Sequence, residues 1–133
     1  MWRAVLEAIG YDYIYVADMY RNAGCNLDRI VVTEGGSKSS LWNQIKSDML
    51  GSEVVTLENV EGAVLSDAIL AAYAVGDIHD LKKALLDVVK VKKVYTPNKE
   101  NTKFYREMFK IQQQIIRNDM KSVFNQLEKM RSL

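Results

Sequence analysis

Apolar residues recur along this chain in two ways, at helical steps and in short β-branched runs, and the alternation lays out its elements. Trp2, Val5, Leu6, Ile9, Tyr13, Val16 and Tyr20 fall three or four residues apart, which predicts an amphipathic helix stopped at Gly24. The run Tyr11 to Tyr15 alternates with period two, but the longer helical pattern outweighs it. Arg29 to Thr33 reads as a short buried strand, bounded by Asn26 and Asp28 before it and by glycines after it. Ser39 to Leu50 predicts a helix with Leu41, Trp42, Ile45 and Met49 inward and Gly51 at its end. Glu53 to Leu57 is the second strand, with Val54, Val55 and Thr56 as its β-branched heart.

Asn59 reads as the cap of the next helix, with Glu61 in its first turn complementing the helix dipole. That helix, from about Val60 to Val75, is apolar almost all round, the pattern of an element buried on more than one side, and Gly76 closes it. Leu81, Leu85 and Val88 mark a shorter surface helix. Val91 to Asn98 reads as the softest joint, dividing residues 1–95 from a terminal helix in 96–133 that Thr96 caps and Pro97 starts. Phe104, Met108, Ile111 and Ile115, then Ile116, Met120, Val123, Leu127 and Met130, form its apolar stripe. The stripe reads as core packing; in a fragment it could pair with a copy of itself. The class is α/β and mostly helical: helix–strand–helix–strand–helix–helix–long helix. Two strands joined through a helix should be parallel with a right-handed crossover. Such a pair does not make an independent sheet, so more strands must come from a larger protein or from association.

With 133 residues the chain is one domain or part of one. A net charge of +1 gives no global field for nucleic acid or an anionic membrane, and no apolar run is long enough to cross a bilayer. The single Cys25 suits a reducing compartment, and the opening Met1-Trp2-Arg3 leads straight into charged residues rather than a secretory signal. A cytoplasmic protein is the expectation.

Candidate chemistry concentrates at Gly35-Gly36, where a strand gives way to a helix. Bare glycines there leave backbone N–H groups uncovered for a nucleotide, although a tight turn alone would also use them. Gly36-Ser37-Lys38-Ser39 is not a P-loop, because the lysine does not follow the second glycine and the upstream spacing fails. The only histidine, His79, has no second His or Cys to join it as a metal ligand and reads as a surface turn residue. Cys25 reads as a packed thiol, and Asp48 and Asp67 as exposed or capping carboxylates. Lys82, Lys83, Lys90, Lys92 and Lys93, interleaved with Asp80 and Asp87, read as a solvated face. No catalytic and no metal-ligating constellation is expected.

Five segments in order resemble the FGGY carbohydrate kinases, xylulokinases most of all. Arg3 to Ile9 is similar to the helix before their adenosine motif, and Gly35-Gly36-Ser37-Lys38-Ser39 with Leu41-Trp42-Asn43-Gln44 and Asp48 to the motif itself. Val54 to Ala63, Ala68 to Ala72 and Tyr95 to Asn101 are similar to the strand, buried helix and lead-in that follow. The resemblance implies part of an actin-like, ribonuclease-H-like ATPase domain, the nucleotide side of a kinase that phosphorylates D-xylulose or a related sugar with ATP and Mg²⁺. Gluconokinases, glycerol kinases and ribulokinases are the alternatives within the family, and a non-catalytic, self-associating module is the alternative outside it. The resemblance puts Gly35, Gly36 and Ser37 against the nucleotide, Ser40 near the adenine edge and Lys38 at the mouth of the site. Glu34 stands where the family more often has a third glycine, and a carboxylate there would repel a phosphorylated ligand unless turned away. Ser66 replaces a common glycine, and the Tyr-Pro interruption expected near Arg117-Asn118 is missing. Phosphoryl transfer also needs a grip on the β- and γ-phosphates, a held metal and a base. The family's groups for these lie upstream, so this polypeptide alone is expected to be inactive and to meet sugar only through another domain.

Overall fold

The computed structural model describes residues 1–33, 35–58 and 62–131. The readings placed on Glu34, Asn59, Val60 and Glu61 lie outside the described residues. Helix α1 spans Trp2–Asn22, strand β1 Arg29–Val32, and a single 3₁₀ turn Gly35–Lys38 leads into α2, Ser40–Leu50. Strand β2 is Glu53–Leu57, followed by α3, Gly62–Ala74, and α4, Leu81–Val88. Strand β3 is Val91–Tyr95, and the chain ends in α5, Lys99–Gln114, a π-helical turn at Ile115–Asp119, and α6, Lys121–Arg131. The glycines expected to stop helices do so: Gly24, Gly51 and Gly76 all have positive φ.

The strands form one mixed sheet in the order β1-β2-β3. β1 and β2 are parallel, as the crossover requires, with Ile30 opposite Val54 and Val32 opposite Thr56. β3 runs antiparallel to β2, with Val54 opposite Tyr95 and Thr56 opposite Lys93, and a bulge leaves Lys92 as the extra residue before Val91 pairs with Leu57. The stretch read as a joint is therefore a strand. Its end is fixed from outside: Ser47 Oγ lies 2.8 Å from the carbonyls of both Ser52 and Tyr95, and Gln44 donates to the Thr96 carbonyl at 3.0 Å.

α2 is the hub. Its Trp42, Ile45 and Met49 are buried with Leu6 and Ile14 of α1 and Tyr105 of α5, while Leu41, expected inward, is exposed. Asp48, also buried, accepts from the Gln44 amide at 2.8 Å and from the Asn98 N–H and Asn101 amide at 2.9 Å. It ties α2 to the first turn of α5, which Asn98 itself caps, two residues beyond the Thr96 cap read from the sequence. Arg21 closes the other end, donating to the Leu50 carbonyl at 2.7 Å and Ser52 Oγ at 3.0 Å.

Four expectations about burial fail in one direction. α1 buries Leu6, Gly10, Ile14 and Ala17, not the stripe of Trp2, Val5, Ile9, Tyr13, Val16 and Tyr20, which stays exposed. The smaller face wins because Gly10 lets α1 close on α2: a Cβ there would run into the Met49 sulfur. α5 likewise buries Tyr105 and leaves Phe104, Met108 and Ile111 exposed. α3 buries only Ile69, against the reading of a helix covered on several sides. β1 is also less covered than its sequence suggests, alternating exposed and half-buried residues. No helix among the described residues is long and apolar enough to cross a membrane.

Candidate functional site

The five residues singled out from the sequence lie on one short arch between β1 and α2. Ser39 caps α2 by accepting from the Trp42 N–H at 3.2 Å, and the buried Asn43 amide donates to the Ser37 carbonyl at 2.7 Å. That bond pins the 3₁₀ turn to the first turn of α2 and buries Ser37, while Gly35, Gly36, Lys38 and Ser40 remain exposed. Neither glycine has positive φ. Among the described residues, a Cβ on Gly35 would meet nothing within 4 Å, and one on Gly36 only the Trp42 ring at 3.9 Å. The tight-turn explanation needs a left-handed backbone or a crowded Cβ, and neither is present. The glycines keep an approach to the main chain open.

The arch separates two concavities. On the β3 side a groove of about 130 Å³ is lined by Ser37, Lys38, Ser40, Thr56, Leu57, Lys92, Lys93 and Tyr95. The bulge in β3 accounts for the adjacent Lys92 and Lys93 sharing one groove with Lys38. No carboxylate is among these lining residues, so three ammonium groups meet hydroxyls and make the groove receptive to anions. Tyr95 donates to Ser40 Oγ at 3.2 Å, and the Lys93 ammonium sits 4.7 Å from the centre of its ring. The hydrogen bond with Ser40, and then Asn43 and Lys93, hold the Tyr95 phenol below the usual tyrosine range against the opposing effect of burial.

On the β1 side a larger groove of about 640 Å³ runs beneath α1. Gly36 reaches it with Thr33, but its walls are mostly apolar, from Tyr13, Val16 and Tyr20 of α1 through Ile30, Val32 and Val54 of the sheet. Lys46 of α2 opens onto it with Trp42. The arch thus gives Ser37, Lys38 and Ser40 to one concavity and Gly36 to the other, while Gly35 stands exposed between them.

The remaining candidates fall elsewhere. Asp48 is a structural cap, Asp67 and His79 are exposed, and Cys25, expected to be packed, is exposed as well. Among the described residues no cluster of His, Cys, Asp or Glu could hold a metal. Sequence reasoning missed Thr56, Lys92, Lys93 and Tyr95. The signal available was the strand-like Val91-Lys92-Lys93-Val94-Tyr95, which the lysine pair disguised.

The chain belongs to the FGGY family of carbohydrate kinases: the model of the family's C-terminal domain matches residues 1–75. It is 32% identical over 113 residues to a xylulose kinase of Staphylococcus epidermidis, covering 85% of this chain and 23% of that one. It is 34% identical over 112 residues to a gluconokinase of Bacillus subtilis, covering 84% of this chain and 22% of that one. The crystal structure of a ligand-bound xylulose kinase from Lactobacillus acidophilus superposes with a TM-score of 0.77 at 25% identity, covering 94% of this chain and 25% of that one. The fold is therefore a mostly helical part of the actin-like ATPase domain of these kinases, and the chain spans about a quarter of the length of the relatives it matches.

Proposed function

We propose that the Gly35–Ser40 arch holds the adenosine part of ATP, and that the chain is the C-terminal portion of a kinase that phosphorylates D-xylulose or a related sugar. One observation carries the reading: two exposed glycines that the turn does not need stand beside an anion-receptive groove to which Ser37, Lys38 and Ser40 contribute. The groove suits the phosphates of that nucleotide, because its side chains offer hydroxyls and ammonium donors and no carboxylate is among its described lining residues. Gly35 and Gly36 admit the nucleoside to the main chain, Ser37 and Ser40 offer hydrogen bonds, and Lys38 stands at the mouth. Bound ATP supplies the transferable phosphoryl group, with Mg²⁺ neutralising its charge. The described residues position one end of that nucleotide and supply no base, so this chain contributes binding and the rest of the kinase contributes chemistry. Xylulose is favoured over gluconate as the sugar because xylulose kinases from several bacteria are among the similar relatives.

Calorimetric titration of the purified chain with ATP and ADP tests the assignment. Binding at micromolar to submillimolar concentration is expected. Gly35→Val should weaken it by about tenfold with unchanged thermal stability, since space rather than packing is altered. Absence of heat at millimolar nucleotide, or equal binding by the variant, would sink the assignment. Phosphorylation of D-xylulose by this chain alone, above a no-enzyme control, would overturn the division of labour.

A further inference from the structure

With no Tyr-Pro break near Arg117-Asn118, the tail runs on as helix from α5 through the π-helical turn into α6. The Met120 and Phe124 N–H groups carry it across, donating to the Ile115 and Met120 carbonyls at 2.9 and 3.0 Å. One side of α5 packs on the core through Tyr105 and Phe109. The apolar stripe lies on another side and stays open, with Phe104 60% and Leu127 56% exposed. A row of this length facing water marks a surface for association.

From Phe104 to Leu127 the spacing of the stripe is the same read from either end. Outward from Ile115 and Ile116 at its centre, Ile111 answers Met120, Met108 answers Val123 and Phe104 answers Leu127, each pair equally far from the middle. A lone helix gains nothing from that symmetry. Two copies running antiparallel gain a core whose every layer takes one residue from each, because a two-fold axis matches a surface to itself. A segment from elsewhere would have no call for it.

Charge selects the same arrangement. Antiparallel pairing brings Glu100 level with Arg131 of the second copy, Lys103 level with Glu128, and Gln112 and Gln114 level with Asp119 and Arg117. Parallel pairing would set every charge level with its own counterpart. The one like-charged level, Lys110 with Lys121, is eased by Glu107, which holds the Lys110 ammonium at 2.8 Å. The paired length is about 35 Å and brings roughly 20 residues together from each copy, enough for a small stable interface. We propose that the tails of two copies of this chain pair antiparallel about a two-fold axis at Ile115 and Ile116. The pairing uses no residue of the Gly35–Ser40 arch and stands apart from the nucleotide reading.

Sedimentation of the full chain and cysteine cross-linking test this together. A dimer is expected at micromolar concentration. Ile115→Glu should raise its dissociation constant about a hundredfold with helix content kept, because it sets two carboxylates at the axis. Val5→Glu, on the open stripe of α1, should leave the dimer intact. In a Cys25→Ser background, chains carrying Met108→Cys should cross-link to chains carrying Val123→Cys. Neither should link to its own kind, since Met108 of one copy lies about 22 Å along the pair from Met108 of the other. These links decide the matter if Ile115→Glu fails to fold. A monomer throughout, a dimer that survives Ile115→Glu, loss of the dimer in Val5→Glu, or self-linking of Met108→Cys would each overturn the proposal.

Discussion

α2 and α3 invert the usual link between composition and burial. α2 carries Asn43, Lys46, Ser47 and Asp48, and all four are buried. α3 is apolar almost throughout, yet Val64 is 67% and Leu70 50% exposed. The difference lies in partners. Most polar atoms of α2 have been answered within the chain: Asp48 by α5, Ser47 by the end of β3, Asn43 Nδ2 by the arch. Among the described residues α3 has nothing comparable against its flanks. A polar helix can be interior when its bonds are made, and an apolar one stays outside when the surface that fits it is absent.

Paired truncations break this contrast most sharply. Met49→Ala in α2 should cost about 2–5 kcal/mol, because a fully buried side chain leaves a cavity. Leu70→Ala in α3 should cost less than about 0.5 kcal/mol in the same urea titration. Equal losses would mean that α3 is covered in solution. Next in size, Asp48→Ala should lose about 2–3 kcal/mol, since it removes a buried acceptor shared by Gln44, Asn98 and Asn101. Hydrogen exchange should show the Asn98–Thr102 amides opening first.

Lys46 is the exception within α2, and its effect is smaller and opposite in sign. Its folded pKa of about 8 lies below the ordinary 10.5, so between those values the unfolded chain holds a proton that the folded chain has released. Stability should therefore rise as pH climbs through that window. Lys46→Met should remove the rise and gain about 1–2 kcal/mol near neutral pH, less than the full linkage value because the ammonium still opens onto the groove. Urea midpoints on both sides of the window check it; a flat wild-type profile would show that the amine is solvated.

Helix and strand identity was legible for most of the chain, because capping glycines and β-branched runs act locally. Facing was not. α1 and α5 each have two plausible apolar faces, and the close approach allowed by Gly10 and the long-range bonds of Tyr105 to Glu7 and Arg3, at 2.7 and 3.0 Å, decide between them. Burial would raise the Glu7 carboxyl, but the bonds from Arg3 and Tyr105 hold it below its ordinary range. β3 was hidden for a related reason: only its pairing with β2 makes a strand of two adjacent lysines. At the candidate site the arch was readable as a contiguous motif. Its neighbours Thr56, Lys92, Lys93 and Tyr95 arrive through tertiary pairing.

The π-helical turn at Ile115–Asp119 gives the tail a property its spacing alone conceals. In the sequence the apolar stripe slips by one residue between Ile115 and Ile116, which in uninterrupted α-winding would swing everything beyond by about 100°. The wider turn absorbs that surplus residue, so Phe104 and Ile111 on one side and Val123 and Leu127 on the other keep a common bearing. A polypeptide lying along this tail would meet one uninterrupted seam, and a relative lacking the surplus residue could present the same seam on ordinary coils.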